Sequence, residues 1–110
     1  MQFVLSICHD ESFRATPELI TAIYAWVERM DTAGVRLGGW PLRPIEEVQT
    51  VRVREGEFHV TSGLAAPSEC PMTAIQVIEA DNMDAAVEIA ASYPMASVAA
   101  VEVRPVWETI

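Results

Sequence analysis

The chain has no lysine: all seven of its cationic side chains are arginine. That removes Schiff-base chemistry and any lysine base or nucleophile. Cationic surface is scarce as well. Sixteen acidic residues leave a net charge of −9, and such a chain lacks the positive face that neutralises phosphates. No nucleic acid and no membrane is therefore expected as a partner, the latter also because no apolar run approaches the roughly 20 residues a spanning helix needs. Cysteine is limited to Cys8 and Cys70. Far apart and without metal-ligand spacing, they read as reduced thiols, and Glu69 beside Cys70 disfavours a thiolate there. Nucleophile motifs, phosphate loops and metal-ligand clusters are also missing, so no cofactor is expected. The opening Met1-Gln-Phe-Val-Leu-Ser-Ile7 carries neither a basic lead nor a small-residue cleavage site, which does not read as a signal peptide; the expected compartment is the cytoplasm.

What is present is enough for one domain over residues 1–110, about half of it apolar and long enough to bury a core without disulfides or metal. Phe3 to Cys8 reads as a strand, with Phe3, Leu5 and Ile7 on one face and Val4, Ser6 and Cys8 on the other. A helix then opens on Thr16 as N-cap, Pro17 at the first position and Glu18 in the first turn. Leu19, Ile20, Ile23, Val27 and Met30 form its apolar stripe, flanked by Tyr24 and Trp26. The helix is predicted to stop near Ala33, with Gly34 as the left-handed cap. Val35 to Leu37 makes a short strand broken by Gly38-Gly39-Trp40-Pro41, where the glycines permit close approach of a backbone or ligand.

Thr50 to Ser62 predicts a hairpin turning at Glu55-Gly56. Its register sets Arg54 against Glu57 as an ion pair, Val53 against Phe58, Arg52 against His59, and Val51 against Val60. After a loop from Gly63 to Met72 comes a closing strand–helix–strand unit. Thr73–Ala80 is its first strand. The helix over residues 81–93 is capped by Asp81 with Asp84 as partner, and is buried through Met83, Ala86, Val87, Ala90 and Ala91. Ala100–Val106 is the last strand. With the hairpin set aside, the order is a split β-α-β repeated, an α+β ferredoxin-like sandwich with a β-hairpin insertion. Both helices then cover one sheet face. The bare face, expected to carry Ser6, Cys8, Gln76, Glu102 and Arg104, calls for a partner. A homodimer packed sheet on sheet supplies one.

Several segments, in order and with ungapped spacing, are similar to one family. They are His9-Asp-Glu11, Thr16-Pro-Glu18, Val27-Glu28 followed by Ala33-Gly34-Val35, Gly38-Gly39 with Leu42 and Pro44, Thr50-Val-Arg-Val53 to Val60-Thr-Ser-Gly63, and Val101-Glu-Val-Arg-Pro-Val106. On these the chain resembles the YCII-related, or DGPF-type, family of small dimeric α/β-barrel proteins. The resemblance implies a ferredoxin-like sheet, dimerisation, and a pocket near the first helix and the post-hairpin loop. It also exposes departures. Where the family carries a histidine, eleven residues before the capping glycine, this chain has Ile23. Where it writes Asp-Gly-Pro-Phe, this chain has Ser62-Gly63-Leu64-Ala65, and its glycine pair before the next strand is Thr73-Ala74. Isoleucine moves no proton, and Ser62 has no adjacent base.

The expectation that follows is a cytoplasmic homodimer binding a small organic ligand beside the sheet. Ser6, Trp40, Ser62, Gln76 and Arg104 are the candidate ligand contacts, with Trp40 a pocket wall or else a core or interface anchor. The alternative is a cofactor-free acid–base enzyme of lyase, isomerase or dehalogenase type. His9 would be its base, Asp10 would orient it, and Arg104 would hold a substrate anion. The competing reading of His9 is a solvated loop histidine. For His59 it is a surface pairing, and for Asp10, Glu11 and Glu69 simple solvation.

Overall fold

Strict alternation along the first strand decides which way the sheet faces. In the computed structural model, which describes residues 1–109, β1 (Gln2–Cys8) buries Phe3, Leu5 and Ile7 completely. It lies between β5 (Met72–Glu79) and β6 (Ala100–Pro105), and β2 (Arg36–Pro41) completes a sheet of order β2-β5-β1-β6 in which every neighbouring pair is antiparallel. The helices α1 (Pro17–Thr32) and α2 (Met83–Ser92) pack their buried residues on the Phe3–Leu5–Ile7 side. The fold is ferredoxin-like α+β. β3 (Gln49–Arg54) and β4 (Glu57–Ser62) form a separate two-stranded ribbon.

The ends of α1 are built as the sequence indicates. Thr16 Oγ1 accepts the Leu19 N–H at 3.1 Å and Pro17 opens the helix. Gly34, at φ +72°, closes it: the Val35 N–H donates to the Met30 carbonyl and the Gly34 N–H to that of Asp31, the two bonds of a Schellman end. The buried face differs from expectation. Trp26 is no flanking residue but the largest fully buried side chain. Its indole N–H donates to Ser92 Oγ at 2.9 Å and its ring meets Tyr93 edge-on at 4.5 Å. Supplying the indole donor with a partner is what permits complete burial. Ile20 and Tyr24 are left exposed.

In α2 the N-cap is Asn82 rather than Asp81: its side chain accepts the Ala85 N–H at 2.9 Å. The buried stripe is Ala86 and Ala90 with Ala85 and Ile89 alongside, whereas Met83, Val87 and Ala91 are exposed. That phase continues into Tyr93 and Met95, which are buried in the same core as Trp26. The glycines do not break β2, which runs on through Gly38-Gly39-Trp40-Pro41 paired to β5, with a bulge between Arg36 and Gly38. An edge strand tolerates the bulge and the proline.

The hairpin register is Arg54↔Glu57, Val53↔Phe58, Arg52↔His59 and Val51↔Val60, as read from the sequence. Glu55 and Gly56 sit at φ +52° and +79°, the pattern of a type I′ turn. The Arg54–Glu57 ion pair does not form. Arg54 bonds the Val53 carbonyl, and Glu57 lies 3.7 Å from His59 Nε2. The ribbon's apolar side is uncovered, with Phe58 71% exposed.

Because Trp26 fills the centre of the core, Trp26→Ala should cost about 3–5 kcal/mol, measured by urea denaturation. Tyr24→Ala, on the exposed side of the same helix, should change the midpoint little.

Candidate functional site

Residues directly opposite one another in neighbouring strands share a face. Leu5 faces Gln76, Ile7 faces Ala74, and Gly39 faces Gln76. Gln76 therefore lies on the helix-covered side, not on the bare face assigned to it from the sequence. The reason is register: with Leu5 committed to the core, its partner must follow. Gln76 is 5% exposed, the only buried polar residue among those described.

Beneath α1 the helix and sheet do not close completely. They leave a cavity of about 640 Å³. Leu19, Ile23 and Val27 of α1 form its roof, Ile7, Ala74 and Gln76 its floor, and residues 41–45 one side. Its floor carries a hydrogen-bonded polar group. Arg36 Nε donates to Gln76 Oε1 at 2.7 Å, Arg36 Nη1 to Asp31 at 3.0 Å, and Arg36 Nη2 to the Gly39 carbonyl at 3.1 Å. A guanidinium can only donate, so the Gln76 oxygen must face it and the Gln76 NH₂ must face away. Gly39 makes the space: a Cβ there would stand 1.9 Å from Gln76 Oε1. Arg36 and Gly39 were missed as site residues. The one signal was the glycine pair, which admits a side chain rather than a backbone.

His9 lines the same cavity, half-buried and stacked on Phe13 at 4.3 Å. Its Nδ1 lies 3.1 Å from the Asp10 carbonyl. A carbonyl only accepts, so Nδ1 carries a proton in this contact and, in the neutral ring, the lone pair is on Nε2. The Asp10 carboxylate does not perform this task. It accepts from the Ser12 hydroxyl and from the Ser12 N–H at 2.9 Å, and these bonds hold it below the usual carboxylate range.

The remaining candidates lie elsewhere. Ser6 lines a shallow depression of about 370 Å³ on the opposite face, with Cys8, Glu102 and the segment 64–72. Trp40 is also on that face, opposite Ile75, and is 62% exposed with its ring over Gly38. Arg104 stands there opposite Val4. Ser62 ends the ribbon opposite Gln49 and lines neither hollow. One cavity thus unites Gln76 and His9 with Ile23, and Ser6, Trp40, Ser62 and Arg104 lie outside it. Among the described residues no group of three or more His, Cys, Asp or Glu could hold a metal ion, and no helix is long and apolar enough to cross a membrane.

On the opposite face Cys8 Sγ donates to Glu102 Oε1 at 3.3 Å. Burial first, and then the bond to and charge of Glu102, push the thiol up to about 11.

A model of the YCII-related domain matches residues 1–110, the whole chain. No curated protein matches it.

At neutral pH, iodoacetamide should label exposed Cys70 and leave Cys8 unmodified in the folded protein; mass spectrometry of the digested chain reads this directly. Equal labelling would show that Cys8 is neither shielded nor held as the thiol.

Proposed function

The chain belongs to the YCII-related domain family, and from that membership and the geometry of its cavity we propose a cytoplasmic homodimer that binds a small, largely apolar organic molecule beneath α1. The observation that carries the reading is the cavity: about 640 Å³, within the range of ligand sites, with largely apolar walls and one buried amide group.

Two quantities support the dimer. The subunit exposes 7877 Å², where a compact monomer of its mass exposes about 6,000 Å². Its radius of gyration is 16.0 Å, against about 13 Å for a compact chain of this length. The excess, about 1,900 Å², is more than twice the roughly 800 Å² that a standard interface buries per partner and falls in the range of obligate homodimers. Val4, Ile75, Val77 and Trp40 give the bare sheet face the apolar centre such an interface needs, with Glu102 and Arg104 among them.

A second reading, cofactor-free acid–base catalysis, rests on His9. Its Nε2 lone pair belongs to a ring that lines the cavity, and Gln76 offers a donor to a carbonyl beside which a proton is removed. In this scheme the Asp10 carbonyl orients the histidine, and Gln76 takes the place of Arg104. The residue at the family's histidine position, Ile23, serves as wall.

Light scattering at micromolar concentration should give about twice the chain mass of 12.1 kDa, and Val77→Asp should yield a folded single subunit. A wild-type monomer would end the dimer reading. A ligand at about 100 times its Kd should add about 2.7 kcal/mol of stability, seen as a raised melting temperature and lost in Ile23→Trp, whose indole occupies the cavity. For the second reading, His9→Ala should abolish turnover while moving the melting temperature by less than about 2 °C; retained turnover would leave binding alone.

A further inference from the structure

We propose that Gln76 is the recognition group of the cavity and that the molecule it selects is uncharged, mostly hydrocarbon, and bears a carbonyl oxygen. This rests on the cavity-binding reading and specifies its ligand class.

The Gln76 amide is oriented before any ligand arrives. Arg36 holds its oxygen at 2.7 Å and is itself anchored by Asp31 and the Gly39 carbonyl. Its two N–H donors have no partner among the described residues, yet no buried side-chain nitrogen or oxygen is left unsatisfied. The Gln76 nitrogen is therefore not sealed in protein but opens on the cavity that Gln76 lines. A donor presented to an apolar hollow favours any ligand that brings an acceptor to it, because an unmade hydrogen bond there is costly.

Charge on the ligand is disfavoured. Both arginines that line the cavity are already paired: Arg36 with Asp31, and Arg43 with Glu47 through contacts of 2.9 and 3.1 Å. A carboxylate entering the cavity would shed its hydration and have to compete with Asp31 and Glu47 for those arginines, whereas a ketone, ester or lactone carbonyl sheds far less. The notch at Gly39 keeps the amide in place, since any side chain there would collide with it.

The test uses three probes of matched shape on the ¹⁵N-labelled full chain: acetophenone, benzoate and ethylbenzene. Side-chain amides occur only at Gln2, Gln49, Gln76 and Asn82, so the Gln76 NH₂ resonances can be assigned by substitution. Acetophenone should bind most tightly of the three and shift those resonances. Gln76→Leu should weaken acetophenone about tenfold and leave ethylbenzene as tight or tighter. Acetophenone and ethylbenzene binding alike, benzoate binding best, or a Gln76 NH₂ signal unmoved by bound acetophenone would each overturn the inference while leaving cavity binding intact. If none of the three perturbs cavity residues, the inference falls together with the reading beneath it. Should Gln76→Leu fail to fold, the wild-type probe ranking and amide shift decide alone.

Discussion

The two-residue period of β1 is the constraint on which the rest depends. Phe3, Leu5 and Ile7 must all point one way, and their complete burial requires both helices on that side. Antiparallel pairing then propagates the choice outward. Ile78 is drawn into the core by Phe3, Gln76 by Leu5 and Ala74 by Ile7, while Val103 and Val101 follow on the other flank. A polar residue thus reaches the buried side not by its own preference but by its place in a ladder.

That displacement explains the chemistry of the cavity. A buried glutamine needs partners, and the edge strand provides them through Arg36 and the open position at Gly39. Arg36 in turn requires a countercharge, which Asp31 supplies from the last turn of α1. The polar chain runs from helix to edge strand to inner strand and ends in an amide. The family resemblance places a proton-transferring histidine at the helix position where Ile23 forms the roof of this cavity. Ile23 contributes only hydrocarbon there, so the polar groups of the hollow come from elsewhere, those of the floor and of His9 among them.

The parts legible in the sequence were those decided locally. Thr16-Pro17 and Gly34 bound the first helix because capping involves a few adjacent residues, and Glu55-Gly56 sets the ribbon register because the turn permits one pairing. The order of elements was enough to infer the fold. What escaped were choices made between distant segments. Trp26 becomes the core because Ser92, on the other helix, accepts its N–H. The phase of α2 is settled by Tyr93 against that same ring, and the face taken by Gln76 by Leu5. Of the site, His9 was legible as a residue at a strand end, but its orientation by a backbone carbonyl was not. Nothing local marks Arg36: its three partners, Gln76, Asp31 and Gly39, come together only in the fold.

The notch at Gly39 has an evolutionary consequence. Two neighbours fix it at once: a Cβ at 39 would stand 1.9 Å from Gln76 Oε1 and 2.8 Å from the Ile75 carbonyl oxygen. Shortening residue 76 would relieve the first contact and cost Arg36 its acceptor, and the backbone contact would remain. Descent should therefore preserve glycine at 39 whatever residue comes to stand at 76.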